Sequence, residues 1–200
     1  MNPERVLIDG PAGKVEVAIN DPGEHRRGIA VIAHPHPLHG GTLDNKVVQT
    51  LAKAMAARDF VALRPNFRGV GGSEGVYDEG RGEAEDLRAV IGYARARYGN
   101  LPLVLAGFSF GAFVQSKIAS EVNPKWIVLV APAVGRFEVS QVPAGTLVIH
   151  GELDDVVPLE DVFEWTRPQQ LPVVVFPGAG HFFHGALVEL QRVVVNAFPS

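Results

Sequence analysis

Near the middle of the chain, Leu103-Val104-Leu105-Ala106 runs without a gap into Gly107-Phe108-Ser109-Phe110-Gly111, and a helix-forming stretch, Ala112 to Glu121, follows at once. A buried strand that turns straight into a helix with a serine at the bend admits few folds. The bend crowds its flanks. A side chain at either flanking position would strike the neighbouring strand or helix, and glycine at 107 and 111 removes both side chains. The hydroxyl of Ser109 is then presented at the carboxyl end of a strand, beside N–H groups of a helix N-terminus that can receive negative charge. Such a position suits a nucleophile. In a chain with 22 glycines the string Gly-x-Ser-x-Gly alone carries little weight; its place between strand and helix gives it meaning.

On either side of this bend the chain alternates. Val6 to Ile8 and Val15 to Ile19 flank Asp9-Gly10-Pro11-Ala12-Gly13 and read as an antiparallel hairpin. Gly28 to Ala33 is an apolar strand of the kind buried on both faces. Asn45 to Arg58 has helical spacing, Phe60 to Leu63 is a strand, and Gly82 to Tyr98 is an amphipathic helix with Leu87, Val90, Ile91 and Ala94 on one face. Trp126 to Val130, Leu147 to Ile149, Leu159 to Trp165, Val173 to Phe176 and Leu187 to Phe198 continue the pattern. Strands alternating with helices predict an α/β fold: a mostly parallel central sheet with the N-terminal hairpin at one edge and helices on both faces. At 200 residues, with no repeat, low-complexity tract or linker, a single domain over 1–200 is expected.

Composition removes several function classes. A net charge of -4, with scattered basic residues, gives no footprint for nucleic acid. With Cys at 0 there is no disulfide, thiolate metal site or cysteine nucleophile, which is compatible with a reducing cytoplasm. Met1 to Val6 carries no basic segment leading into an apolar one, so no signal peptide is expected, and the apolar runs are too short to span a bilayer. A cytoplasmic location is the expectation.

Ligands of parallel sheets bind at the carboxyl ends of the strands, which directs attention to the polar residues just beyond each apolar run. After Ile149 comes His150-Gly151-Glu152-Leu153-Asp154-Asp155, with Asp154 a candidate acid and Glu152 and Asp155 its competitors. After Phe176 comes Pro177-Gly178-Ala179-Gly180-His181-Phe182-Phe183-His184. His181 is a candidate base, while His184 is assigned to capping or packing at the start of the last helix and His150 to a structural role. A serine hydroxyl becomes a useful nucleophile when an imidazole takes its proton, and a buried carboxylate then stabilises the imidazolium and fixes its tautomer. Ser109, Asp154 and His181 follow in the order nucleophile, acid, base, each after its own strand.

A third loop, His34-Pro35-His36-Pro37-Leu38-His39-Gly40-Gly41-Thr42, follows the strand ending at Ala33. Acyl transfer needs donors aimed at the developing oxyanion. One is expected from the N–H of Phe110, directly after the nucleophile; the other from this loop, where Pro35 and Pro37 have no N–H. His36 is preferred and Leu38 is the runner-up. The same loop also supports a rival reading, since His34, His36 and His39 have the spacing of a His-x-His-x-Asp-His zinc site, with Leu38 in the aspartate position.

Taken together these segments resemble the α/β-hydrolase superfamily. More closely, they are similar to small bacterial hydrolases marked by His-Pro-His-Pro-x-x-Gly-Gly followed by Asp-Asn-Lys, here His34 to Gly41 and Asp44 to Lys46. Arg64 to Ser73, Gly107 to Gly111, His150 to Pro158 and Gly178 to His181 also match, so the likeness spans nearly the whole chain. The resemblance implies an α/β-hydrolase fold with Ser109, Asp154 and His181 as the catalytic set, and a carboxylesterase-type activity. The same three residue types also serve thioesterases, lactone hydrolases, peptidases and non-catalytic binding members.

Many relatives insert a cap after the strand corresponding to Trp126 to Val130, whereas this chain crosses from Ala131 to Gly145 with too few residues for a helical lid. An open site with a preference for small or short-acyl esters is expected. Phe108, Phe137 and Phe182 are the candidate substrate-binding residues, with Phe110 and Phe183 also available to an apolar acyl site. No cofactor and no metal are needed. The expected partner is a small-molecule ester, with neither nucleic acid nor membrane, and the chain is taken as a monomer or homodimer. Arg64 and Arg68 are read as ties between the Asn66 to Gly75 loop and nearby carboxylates, Asp44 and Asn45 as helix caps, and Glu83, Glu85 and Asp86 as first-turn charges favoured by the helix dipole.

Overall fold

In the computed structural model, which describes residues 3–198, the apolar runs become strands whose side chains alternate between two cores. Met1 and Asn2, which head the stretch expected to carry no leader, lie outside the described residues, as do Pro199 and Ser200. The chain order is β1 (Glu4–Gly10), β2 (Gly13–Asn20), β3 (Gly28–Ala33), α1 (Lys46–Ala56), β4 (Phe60–Pro65), α2 (Arg81–Tyr98), β5 (Leu103–Phe108), α3 (Phe110–Val122), β6 (Trp126–Val130), β7 (Leu147–Gly151), α4 (Leu159–Thr166), β8 (Val173–Phe176) and α5 (Leu187–Ala197). Short 3-10 turns, Pro37–His39 and Arg167–Gln169, interrupt two of the connections.

The sheet has 8 strands in the order β1-β2-β4-β3-β5-β6-β7-β8. β1 and β2 form the expected hairpin, and β2 joins β4 antiparallel. From β4 across to β8 the pairs are parallel. Period-2 alternation explains why the central runs are apolar throughout. Ile29, Val31, Leu105 and Leu129 face α2 and α3, against Leu87, Val90, Val114 and Ile118. Ala30, Ile32, Val104 and Val128 face the other way, onto Val48, Leu51 and Met55 of α1 and Leu190 and Val194 of α5. Each fully buried aliphatic side chain of this kind contributes roughly 1.5–3 kcal/mol. No helix among the described residues is long and apolar enough to cross a membrane.

The chain leaves β3 for β4 on one side, then crosses back to place β5 on the other, so β3 and β5 lie side by side with Ala33 opposite Gly107. A crevice opens where strand order reverses in this way. Loops leaving β3 and β5 meet there.

Several local expectations are corrected. Asn45 alone caps α1, its Oδ1 accepting from the amides of Val47 at 2.9 Å and Val48 at 3.4 Å, while Asp44 turns to Arg5 at 2.7 Å. Glu83 does favour the start of α2, accepting the amides of Gly80 and Asp78 at 2.8 Å each. Asp86 serves a different end: at 1% exposure it receives Nε and Nη2 of Arg68 at 2.9 and 2.8 Å. Arg68 is therefore the structural tie that was expected. Arg64 is structural too, but its Nη1 donates to the carbonyl of Leu43 at 2.7 Å, and its nearest carboxylate oxygen, on Asp44, lies 3.8 Å away. His184 is exposed and lies outside α5, which is capped at Ala186, so the capping role assigned to it is withdrawn.

Candidate active site

Strand β5 ends at Phe108, and Ser109 takes φ 56° and ψ -115° before α3 begins at Phe110. A non-glycine residue is strained in that conformation, and the surroundings must hold it there. They do so with few degrees of freedom. A Cβ on Gly107 would lie 2.6 Å from the backbone of Gly111 and Ala112, and one on Gly111 would lie 2.3 Å from the carbonyl oxygen of Ala33. The amide of Ser109 donates to the carbonyl of Val130 at 2.9 Å, and its own carbonyl accepts from Ala112 and Phe113, fixing the bend to β6 and to the first turn of α3.

Beyond β7, the Asp154 carboxylate is built into a turn. Its Oδ1 accepts the amides of Val156 and Val157 at 2.9 and 2.8 Å, which turns Oδ2 toward the loop after β8. There Nδ1 of His181 lies 2.7 Å from Oδ2, and Nε2 of His181 lies 3.0 Å from Oγ of Ser109. With Nδ1–H donating to the carboxylate, Nε2 is left to accept the serine proton. The His181 loop rests on the end of β7: a Cβ on Gly151 would meet the carbonyl oxygen of Ala179 at 2.4 Å, and the amide of Leu153 donates to that same oxygen. Burial works to raise the Asp154 pKa, but hydrogen bonds from His181 and from the Val157 and Val156 amides together outweigh it, and the pKa falls below the usual carboxylate value. The carboxylate stays charged at neutral pH, as the support of an imidazolium requires.

Glu152 and Asp155, the competing acids, are exposed. Glu152 receives the amide of Gly178 at 2.8 Å and so pins the start of the His181 loop. His150 is fully buried, donating Nε2–H to the carbonyl of Val157 at 2.8 Å, with its Nδ1 unpartnered. Burial, the largest influence, lowers its pKa and keeps the ring neutral.

The loop after β3 covers the other side of Ser109. Nε2 of His34 accepts the amide of Phe67 at 3.0 Å, so the proton is on Nδ1, 2.6 Å from the carbonyl of Pro35. Burial lowers the His34 pKa to about 4. Nδ1 of His36 accepts the amide of Leu38 at 3.2 Å, and its Nε2 is 3.2 Å from the hydroxyl of Tyr77. These rings are occupied by protein partners, and among the described residues no three His, Cys, Asp or Glu side chains are grouped to hold a metal ion. The zinc reading of His34, His36 and His39 loses its geometric support.

A cavity of about 500 Å³ opens over Ser109 and His181, walled by His36, Phe110, Phe137 and Phe182. It lies within the size range of small-molecule sites. A larger one, about 700 Å³, lies among Arg5, Asp44 and Arg64 and contains none of the three hydrogen-bonded residues.

Residues 27–142 match the model of a family described as serine aminopeptidase, S33. An alpha-beta serine hydrolase homologue from Coxiella burnetii is 43% identical, with a TM-score of 0.92 over 100% of this chain and 99% of that one. A serine hydrolase without a lid from Xanthomonas campestris is 37% identical, also at a TM-score of 0.92, over 98% of this chain and 94% of that one. The chain belongs to the α/β serine hydrolases. It is also 28% identical over 207 residues, 95% of this chain and 86% of that one, to an uncharacterized protein of Rickettsia prowazekii.

Among the described residues neither helix nor strand interrupts the crossing from β6 to β7, so this α/β serine hydrolase carries no cap there, and its Xanthomonas relative is likewise described as without a lid. Of the aromatic residues expected to bind substrate, Phe137 and Phe182 line the cavity. Phe108 does not. It is fully buried on the α1 and α5 side of the sheet, its ring 5.0 Å from that of His181, because it occupies the same face of β5 as Val104 and Ala106. Phe183 is likewise core. Two residues at the site carry no sequence signal: Arg136, which lines the cavity, and Tyr77, whose ring lies 5.0 Å from that of His36. Both lie in irregular segments, where periodicity gives no signal.

Proposed function

We propose that this hydrolase cleaves small or short-acyl carboxylic esters through an acyl-serine intermediate. The supporting observation is the hydrogen-bonded chain from Ser109 through His181 to Asp154, at 3.0 and 2.7 Å, beneath an open aromatic cavity. His181 Nε2 takes the proton from Ser109 as Oγ attacks the ester carbonyl, and Asp154 stabilises the imidazolium. The oxyanion is received by the amide of Phe110 and by one from the loop after β3. His36 supplies it in this reading, because the Leu38 amide already donates to Nδ1 of His36. His181 then protonates the departing alcohol and activates water, which releases the acid and restores Ser109.

Peptide cleavage from a free N-terminus fits this site less well than ester cleavage. Holding an α-ammonium group calls for a carboxylate near the scissile bond, and the cavity walls carry no Asp or Glu. The missing cap favours compact substrates, since nothing covers a long chain.

Intact-protein mass spectrometry after treatment with a fluorophosphonate tests the mechanism. A single adduct on Ser109, formed far more slowly in His181→Ala, is expected; no adduct on folded protein would overturn it. A 4-nitrophenyl ester series tests the substrate class, with acetate and butyrate expected to exceed long-chain esters in kcat/KM.

A further inference from the structure

The cavity over Ser109 does not end at Phe137. Arg136 and Phe137 line both it and an adjoining cavity of about 890 Å³, whose other walls include Phe113 and Lys117. The rings of Phe113 and Phe137 stack, with centroids 4.8 Å apart and planes inclined by 17°, and Phe110 meets Phe137 edge-on at 5.2 Å. A continuous aromatic floor thus leads from the nucleophile into the second cavity.

Two cations flank that floor. Nε of Arg136 donates to the carbonyl of Val156 at 2.8 Å, which anchors the guanidinium across the wall and leaves its terminal donors available. Nζ of Lys117 sits 5.3 Å from the centre of the Phe113 ring. Neither has an ion-pair partner among the described residues, whereas Arg81, on the same cavity, is held by Asp78 and Glu79 at 2.9 Å each. Glu138 also lines the second cavity and pairs with neither cation. Around Ser109 itself there is no carboxylate on the wall.

We infer that the substrate carries a carboxylate, received by Arg136 and Lys117 while its apolar part lies on Phe137. This rests on the ester-hydrolase reading and narrows it to half-esters of dicarboxylic acids or esters of carboxylated alcohols. Chemistry and geometry agree: an arginine fork matches a carboxylate, and an apolar floor with one cationic end admits an apolar chain with one anionic end. Neutral esters of equal length lack the second contact.

Two matched series test this: 4-nitrophenyl valerate against the 4-nitrophenyl half-ester of glutarate, and phenyl butyrate against its 3-carboxyphenyl counterpart. In at least one series the anionic member should show a kcat/KM on the order of tenfold higher, as one charge-assisted contact supplies. That ratio should collapse toward one in Arg136→Gln/Lys117→Gln, and fall with added salt in the parent protein. Equal rates for neutral and anionic members in both series, or a preference that survives in the double variant, would overturn the inference while leaving the ester-hydrolase reading in place. Failure of every ester together with failure of Ser109 to label would instead remove that reading. Binding of monomethyl glutarate to Ser109→Ala, measured by calorimetry, then decides the carboxylate site separately: binding that disappears in the double variant supports it, and absence of binding overturns it.

Discussion

His150 and Asp154 lie four residues apart and meet again inside the protein: Nε2 of His150 is 3.4 Å from Oδ2 of Asp154, the same oxygen that receives His181 at 2.7 Å. Both side chains are fully buried. The neutral His150 ring thus directs an N–H toward the carboxylate, and toward Val157, without adding a competing charge. Replacing it by Phe should lower kcat about fivefold, the worth of roughly 1 kcal/mol of lost positioning, with little change in KM. Steady-state kinetics on a short-acyl ester, with circular dichroism to check folding, would show this; an unchanged kcat would assign His150 to packing alone.

Acid should weaken the fold through His34. Its ring must be neutral to accept the Phe67 amide, and burial lowers its pKa from 6.5 to about 4. In the unfolded chain the ring binds a proton as pH falls below about 6.5; in the folded chain it does not until about 4. Stability is therefore fully present above the unfolded value and is lost as pH drops through this window, by on the order of 3 kcal/mol at its lower end. His150, also lowered, adds to the same slope. Asp154, whose pKa is lowered, acts at more acid pH. Urea unfolding at pH 7 and pH 4.5 would measure the drop, and His34→Gln should flatten it.

Gly111→Ala should be among the most damaging single methyl additions. Its Cβ would stand 2.3 Å from the Ala33 carbonyl oxygen, which belongs to the backbone of a central strand and cannot swing aside. A loss of roughly 3 kcal/mol or more is expected. At Gly92, on the solvent-facing side of α2, a Cβ meets nothing within 4 Å, so Gly92→Ala should be neutral or stabilising by up to about 1 kcal/mol. Denaturant midpoints for the pair give the comparison.

The Arg68–Asp86 pair predicts an asymmetry. Removing the guanidinium in Arg68→Ala leaves Asp86, at 1% exposure, without its bidentate partner. A cost of about 3–5 kcal/mol follows. The exposed Arg167–Glu160 contact at 3.4 Å should give no more than about 1 kcal/mol on the same treatment. Thermal or urea unfolding of both variants tests the contrast.

How much of this was legible in the sequence depends on where regular periodicity stops. The strands that carry Ser109, Asp154 and His181 announced themselves as apolar runs, and the strand-to-helix bend marked the serine. Phe108 was misjudged because motif proximity suggested the cavity, whereas alternation along β5 sends it to the opposite face with Val104 and Ala106. Asp86 looked like a dipole charge because its partner, Arg68, approaches from a loop 18 residues earlier, a contact that no local pattern encodes. Arg136 and Tyr77 lie in irregular segments, and their places could be found only once the chain was folded.

Ser109 leaves β5, and His181 leaves β8, which stands at the margin of the sheet and is bonded to β7 alone. Two strands separate Ser109 from His181. Peeling β8 from β7 would carry His181 away while β3, β5 and their helices stayed intact, and such marginal strands open at a lower free energy than the centre of a sheet. Under the proposed mechanism turnover becomes a sensor of the C-terminal margin: on mild warming or in dilute urea it should fade before the bulk of the ellipticity does.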